Sequence, residues 1–171
     1  MRLGFALVLC TWSPVLAQQA PIRAVGNVVT PGLVPAADNL TYADLADLAD
    51  AAELVARAQV RKASRLKPEQ APGLAPGMAR MLVEARIAAV LSGPAMGETV
   101  RYLADVPLDA NGKPPKLNKM LVLVFARTVA GRAGELRLVD GGAQLPWSSA
   151  VEARTRTILT WLHIDVFDSV A

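Results

Sequence analysis

The chain is poor in the residues that build most catalytic and metal centres. Its 171 residues include one histidine, His163, and one cysteine, Cys10. A zinc site needs three or four nitrogen, sulfur or carboxylate ligands in one place, so this composition argues against one. A Ser-His-Asp arrangement would rest on His163 alone. Aromatic residues make up only 5% of the chain. That weighs against a single-strand nucleic-acid binder, which stacks bases on aromatic rings. A strong excess of one charge is also missing: 18 Lys and Arg face 15 Asp and Glu, a net charge of +3. Domains that bind nucleic acid are usually far more basic. The glycines of "GPAMGE" lack the Lys and Ser/Thr that complete a phosphate-binding loop.

Long apolar runs are missing as well. The N-terminal run "LGFALVLCTWSPVLA" is shorter than the ~20 residues that span a bilayer. Arg2 before it and "VLA" ahead of "QQAP" instead give the pattern of a signal peptide over residues 1–17. The expected location is therefore periplasmic or secreted, with a mature chain starting near Gln18. Cys10 would leave with the signal, and Leu9 occupies the place of the small residue that precedes a lipidated cysteine. A mature chain without thiols has no disulfide to hold it. It needs an ordinary hydrophobic core, which a 53% hydrophobic composition supplies.

What is present is periodicity. Residues 18–40 have none and carry Pro21, Pro31 and Pro35, which suits an extended arm. Leu45, Leu48, Ala49 and Ala52 then recur at helical spacing, and Thr41 with Asp44 makes a capping box. A helix over about 42–52 follows, with Asp44, Asp47 and Asp50 as a solvated face. From Glu53 the period becomes two. Leu54, Ala56, Ala58 and Val60 share one face, opposite Val55, Arg57, Gln59 and Arg61. "MARMLVEARIAAVLSG" and "TVRYLADV" alternate in the same way, and Pro107 ends the latter. "MLVLVFA" is apolar throughout, as a strand covered on both faces would be. "LRLVDGG" reads as a fifth strand. Val151, Thr155, Ile158, Leu159 and Leu162 mark a terminal helix over about 149–162, with Ser149 and Glu152 as a second capping box. The expected fold is mainly β with flanking helices: a five-stranded antiparallel OB-like barrel over 41–163, then an irregular tail over 164–171. Closure into a barrel is expected because it removes exposed strand edges.

The run "ELVARAQV", "MLVEARIAAVLSG", "GETVRYLADVP", "LVLVFAR" and "GELRLVDGGAQLPW" resembles the OB-like barrels of the netrin-like type. The wording of "DLADLAD", "LDANGKPPKLNK" and "GAQLPW" resembles an uncharacterised secreted family of alphaproteobacteria. The resemblance spans about two-thirds of the chain and implies a secreted small barrel without an activity to transfer. Netrin-like inhibitors act through an N-terminal cysteine and disulfides, which this mature chain does not have.

The candidate functional residues are basic. Arg57, Arg61, Lys62 and Arg65 cluster without an acid between them, and Lys113, Lys116 and Lys119 punctuate "DANGKPPKLNK". Around Pro114 and Pro115 a polyproline geometry, with three residues per turn, would place the three lysines on one side. Two readings stay open for them: an array for a repeating anion, or a solubilising loop beside an apolar strand. Glu84 and Asp105 fall on polar strand faces, either as an acid/base pair or as surface ion pairs with nearby arginines. Trp147 is placed to pack the terminal helix onto the sheet. The composition points to no catalytic set, no metal and no cofactor. The leading expectation is a non-catalytic binding or interaction domain. Its partner would be an envelope protein or an anionic polymer, and not nucleic acid. An envelope accessory domain that contacts anionic lipid or polysaccharide is the alternative, and a hydrolase comes third. The mature chain is expected to have no transmembrane helix.

Overall fold

The computed structural model describes residues 40–168, with side chains through Leu162. The expected signal peptide (1–17), the arm up to residue 39 and the final residues 169–171 lie outside the described residues. So does the side chain of His163.

Helix α1 runs Tyr42–Ala51 and starts at the expected cap. The Asp44 N–H donates to Thr41 Oγ1, and the Thr41 N–H donates to Asp44 Oδ2 at 2.9 Å. The Thr41 hydroxyl also donates to Asp44 Oδ2 at 2.7 Å, and that bond first, with the Thr41 N–H behind it, holds the Asp44 carboxyl below its usual range. Leu45 and Ala49 face inward and are buried.

Four longer strands follow: β1 (Leu54–Arg65), β2 (Met78–Ser92), β3 (Thr99–Pro107) and β4 (Leu121–Thr128). Two short ones, β5 (Leu136–Leu138) and β6 (Gln144–Pro146), precede the terminal helix α2 (Ser149–Asp168). The strands make one antiparallel sheet in the order β3-β2-β1-β4-β5, with β6 also on β4. Alternation decides what is buried. Ala56, Ala58 and Val60 of β1, Met81, Val83 and Ala85 of β2, and Val100, Tyr102 and Ala104 of β3 all line the concave face and are buried. The Tyr102 hydroxyl donates to Gln144 Oε1 across this interior, 2.7 Å away. Burial pushes its phenol pKa well up.

β4 is buried on both faces from Val122 to Ala126, as its unbroken apolar run requires. Val122 and Val124 share the concave side with Ala58 and Ala56, their partners on β1. Leu123 and Phe125 point the other way with Val55, beneath the helices.

Three expectations change. The sheet has six strands, because the run read as the fifth, "LRLVDGG", supplies only β5, and β6 follows beyond it. Both pair with β4, and residues 140–142 loop out between them: the Val139 N–H donates to Phe125 O, and the Phe125 N–H donates to Ala143 O. The sheet is also open rather than a closed five-stranded barrel. Arg101 of β3 and Glu135, just ahead of β5, make one isolated parallel bridge. β5 has only three residues, too few to continue a ladder along β3. Two clasps stand in for that ladder: the Arg101 N–H donates to Gly134 O at 2.8 Å, and the Asp105 N–H donates to Gly141 O at 2.9 Å. Position 141 is a glycine for a steric reason, since a Cβ there would lie 2.8 Å from Asp105 Oδ2. Finally, α2 continues to Asp168, past Leu162 and into the expected tail.

The α2 cap differs as well. Ser148, not Ser149, receives the Val151 N–H on its Oγ, and Glu152 does not fold back to close a capping box. Its carboxylate is drawn away by stronger partners described below.

Candidate functional site

The seven candidate basic residues divide between two places. Arg57 sits on the helix-covered side of β1. Its Nη1 donates to Glu152 Oε2 at 3.0 Å, and its guanidinium lies 5.4 Å from the centre of the Trp147 ring. Glu152 is buried, also receives the Trp147 indole N–H, and is gripped by Arg156 at 2.8 Å. The Trp147 bond first, with the two arginines behind it, holds its carboxyl below the usual range. Arg57 thus braces β1 to α2, and Trp147 packs the helix against the sheet.

The other six come together. A β-bulge between Val60 and Lys62 shifts the register, so that Lys62 pairs with Glu84, Ala63 with Val83 and Ser64 with Leu82. The extra residue reverses the alternation and turns Lys62 and Ser64 onto the outer face, beside the outward residues of β2. The loop over 108–120 is laced to this half of β1. Ala63 N–H donates to Asn118 Oδ1, Lys119 N–H to Val60 O, and Arg65 Nη1 to Gly112 O. Two basic groups some fifty residues apart in sequence therefore form one band. Arg61, Lys62, Arg65, Lys113, Lys116 and Lys119 are all exposed. Among the described residues none of the six has an ion pair.

The loop does not present its lysines as one polyproline run. Asp109 Oδ1 accepts from the N–H groups of Asn111 and Lys113 and tightens the first turn. A second turn closes with Met120 N–H on Leu117 O, and Lys119 takes a positive φ of 69°. That left-handed residue ends the three-residue period.

The band opens onto the outer face of β2 and β3, which no element covers among the described residues. Three cross-strand rows lie there: Arg80 with Asp105, Leu82 with Leu103, and Glu84 with Arg101. Leu82 and Leu103 are 41% and 44% exposed. Arg80 and Asp105 are locked in a two-point pair at 2.7 and 2.8 Å, which raises the arginine's pKa further. Arg101 and Glu84 are looser, at 3.8 Å, and both are well exposed. The two carboxylates weighed as an acid/base pair stand four strand residues apart, roughly 13 Å by strand rise, each opposite an arginine.

Past β3 the face drops into a groove of about 570 Å³ against β5, lined by Arg80, Leu82, Arg101, Leu103, Glu135 and Arg137 among others. The groove occupies the gap between the two clasps. Strand alternation puts the Leu103 N–H on the same side as those of Arg101 and Asp105, but among the described residues no strand pairs with it there. Arg137 faces outward directly opposite Arg127 and has no ion pair among the described residues. A smaller depression of about 140 Å³, lined by Lys62, Ser64, Leu82, Glu84 and Arg101, links the groove to the band. Lys62, Arg101 and Arg137 thus lie along one path across the strands, with Glu84 of β2 between the first two.

Sequence reasoning did not single out Leu82, Leu103, Arg101 or Arg137 as site residues. The two outward leucines on alternating strands were the available signal, because apolar side chains on a polar face mark a surface kept for contact. No group of three or more metal-ligating side chains gathers among the described residues. Nor is any described helix long and apolar enough to cross a membrane. No family model matches the chain, and no curated protein matches it significantly.

Proposed function

We propose that this chain is an exported, non-catalytic binding module, acting in the periplasm or outside the cell, that holds an extended anionic polymer across the outer face of β2 and β3. The observation that carries the reading is the line of cations without strong carboxylate partners, Lys62, Arg101 and Arg137, beside the basic band. Lys62 on β1 and Arg101 on β3 lie two strand spacings apart, roughly 10 Å, with Glu84 of β2 between them, so an extended polymer can set widely spaced negative charges on the two cations. The OB-like expectation supports this reading. Joining β3 to β5 through the Arg101 bridge would complete the order 1-2-3-5-4-1 of a partly open barrel, a fold that uses its β2–β3 face for oligosaccharides and oligonucleotides. The signal-like N-terminus and the resemblance to a secreted alphaproteobacterial family support export.

A direct test is calorimetric titration with dextran sulfate at several salt concentrations. The affinity is expected to fall steeply as salt screens the cations. Replacing Lys62, Arg101 and Arg137 together by Ala should weaken it by about tenfold or more, whereas Arg154→Ala on α2 should leave it within about twofold. Wild-type protein that ignores the polymer, or a triple variant that binds it as wild type does, would sink the proposal. One observation favours a second reading, docking of an envelope protein: the exposed Leu82 and Leu103 pair. Salt-insensitive capture of a single envelope protein, lost on Leu82→Ser, would select it.

A further inference from the structure

A second cavity, of about 260 Å³, lies where β3, β6 and the 108–120 loop meet. Its wall is apolar almost throughout and includes Ala104, Val106, Leu117, Met120, Val122 and Pro146. Two polar side chains reach it, and both are engaged. Asp105 is held by Arg80, and Gln144 accepts from the Tyr102 hydroxyl. Gly141 and Gly142 add no side chain to the lining. Water gains little from such a space: an apolar cavity of ~150 Å³ can stay dry and take up benzene instead.

The rim has the opposite character. Pro115, Leu117 and Met120 belong both to the wall and to the loop that bears the lysines. Lys116 stands between Pro115 and Leu117, Lys119 directly precedes Met120, and both lysines are exposed. The turn closed by Met120 N–H on Leu117 O, with Lys119 at positive φ, brings Leu117 and Met120 to the cavity while the lysines stay outside. Neither lysine has an ion pair among the described residues.

We infer that this cavity holds the acyl chain of a single-chain anionic amphiphile, with its carboxylate or phosphate head on Lys116 and Lys119. A neutral apolar molecule would leave the rim cations unused, and a purely polar anion would leave the wall unused. At ~30 Å³ per water-sized group the cavity has room for about nine, a medium-length chain. The inference rests on the reading of the domain as an anion binder but gives this ligand a cavity of its own, shared with the polymer face only through the lysines of the loop.

The test titrates the folded protein with decanoate, decyl phosphate, decanol and butyrate, all below micellar concentration, and with dextran sulfate in parallel. Decanoate and decyl phosphate should bind at one site, decanol about fivefold more weakly, and butyrate not measurably. Changing Lys116 and Lys119 to Ala should bring decanoate to the affinity of decanol. Ala104→Leu fills the cavity from β3, and Met120→Phe fills it from the loop, so that one variant serves if the other does not fold. Each should weaken decanoate by about tenfold or more, as loss of apolar burial predicts, while dextran sulfate binding stays within about twofold. Absence of decanoate binding, equal affinity for decanol, or undiminished binding to a folded cavity-filled variant would each overturn the inference. The parallel titration keeps that failure separate from failure of the polymer reading.

Discussion

The outer side of the sheet has two halves that a single rule of alternation builds and that end differently. Over β1 and β4, the outward residues Val55, Leu123 and Phe125 are fully buried beneath α1 and α2. Over β2 and β3, the outward residues Leu82 and Leu103 stay exposed. Charge follows the same division. On the covered half, Arg57 is fixed between Glu152 and Trp147. On the bare half, Lys62 and Arg137 make no ion pair among the described residues, and Arg101 makes only a loose one. Apolar side chains and arginines occur on both halves, so composition does not distinguish a structural face from a binding face. What distinguishes them is whether another element of the same chain satisfies them.

The contrast breaks most readily at Phe125. Phe125→Ala should cost about 3–5 kcal/mol of unfolding free energy in urea, because it empties a site closed on every side. If the bare half is truly outside the core, Leu82→Ala and Leu103→Ala should each stay within about 0.5 kcal/mol in the same assay. A cost at Leu82 like that at Phe125 would mean that both halves are core.

Next in size is the brace. Glu152→Ala should destabilise by about 2 kcal/mol, since it leaves the Trp147 N–H and two guanidinium groups without their acceptor. The pH dependence has a definite sign. The Glu152 carboxyl is held below its ordinary value of 4.5 in the folded protein, so the unfolded chain binds its proton more readily. The stabilisation is therefore complete above about pH 4.5 and is lost as pH falls through the lower folded value. Wild type should lose stability more steeply below that pH than Glu152→Gln does, as thermal unfolding across pH 3–6 would show.

A smaller effect is expected at the seam between β3 and β5. Gly141→Ala drives a methyl against the Asp105 carboxylate and should cost about 1–2 kcal/mol. Amide hydrogen exchange at Asp105, which donates to Gly141, should speed up, while exchange in α2 should not change.

Much of this architecture can be read in the sequence. The α1 capping box, the alternation of β1, β2 and β3, the doubly buried β4 and the inward face of α2 are all local patterns, and local patterns survive folding. What could not be read depends on partners far along the chain. Glu152 looked like a capping residue because its nearest serine lies three positions away. Its real partner Arg57 is 95 residues distant. Arg57, Arg61, Lys62 and Arg65 looked like one cluster because they are neighbours in sequence. The bulge at Arg61, visible only through pairing with β2, turns Lys62 to the same outer side as Arg57, but farther along β1 and beside the bare half. β6 escaped notice because three residues ending in Pro146 carry no period of their own and pair only because β4 is already in place. The seam stays open for a related reason, since nothing in "GRAGELRL" shows that its strand stops after three residues.

The central claim is that the bare half is the working surface. Amide chemical-shift mapping during titration with dextran sulfate tests it most directly. The account predicts shifts in the second half of β1, in residues 80–86 and 101–105, around Arg137 and in the 108–120 loop, with α1 and α2 unmoved. Shifts confined to the helices, with the β2–β3 face silent, would contradict it.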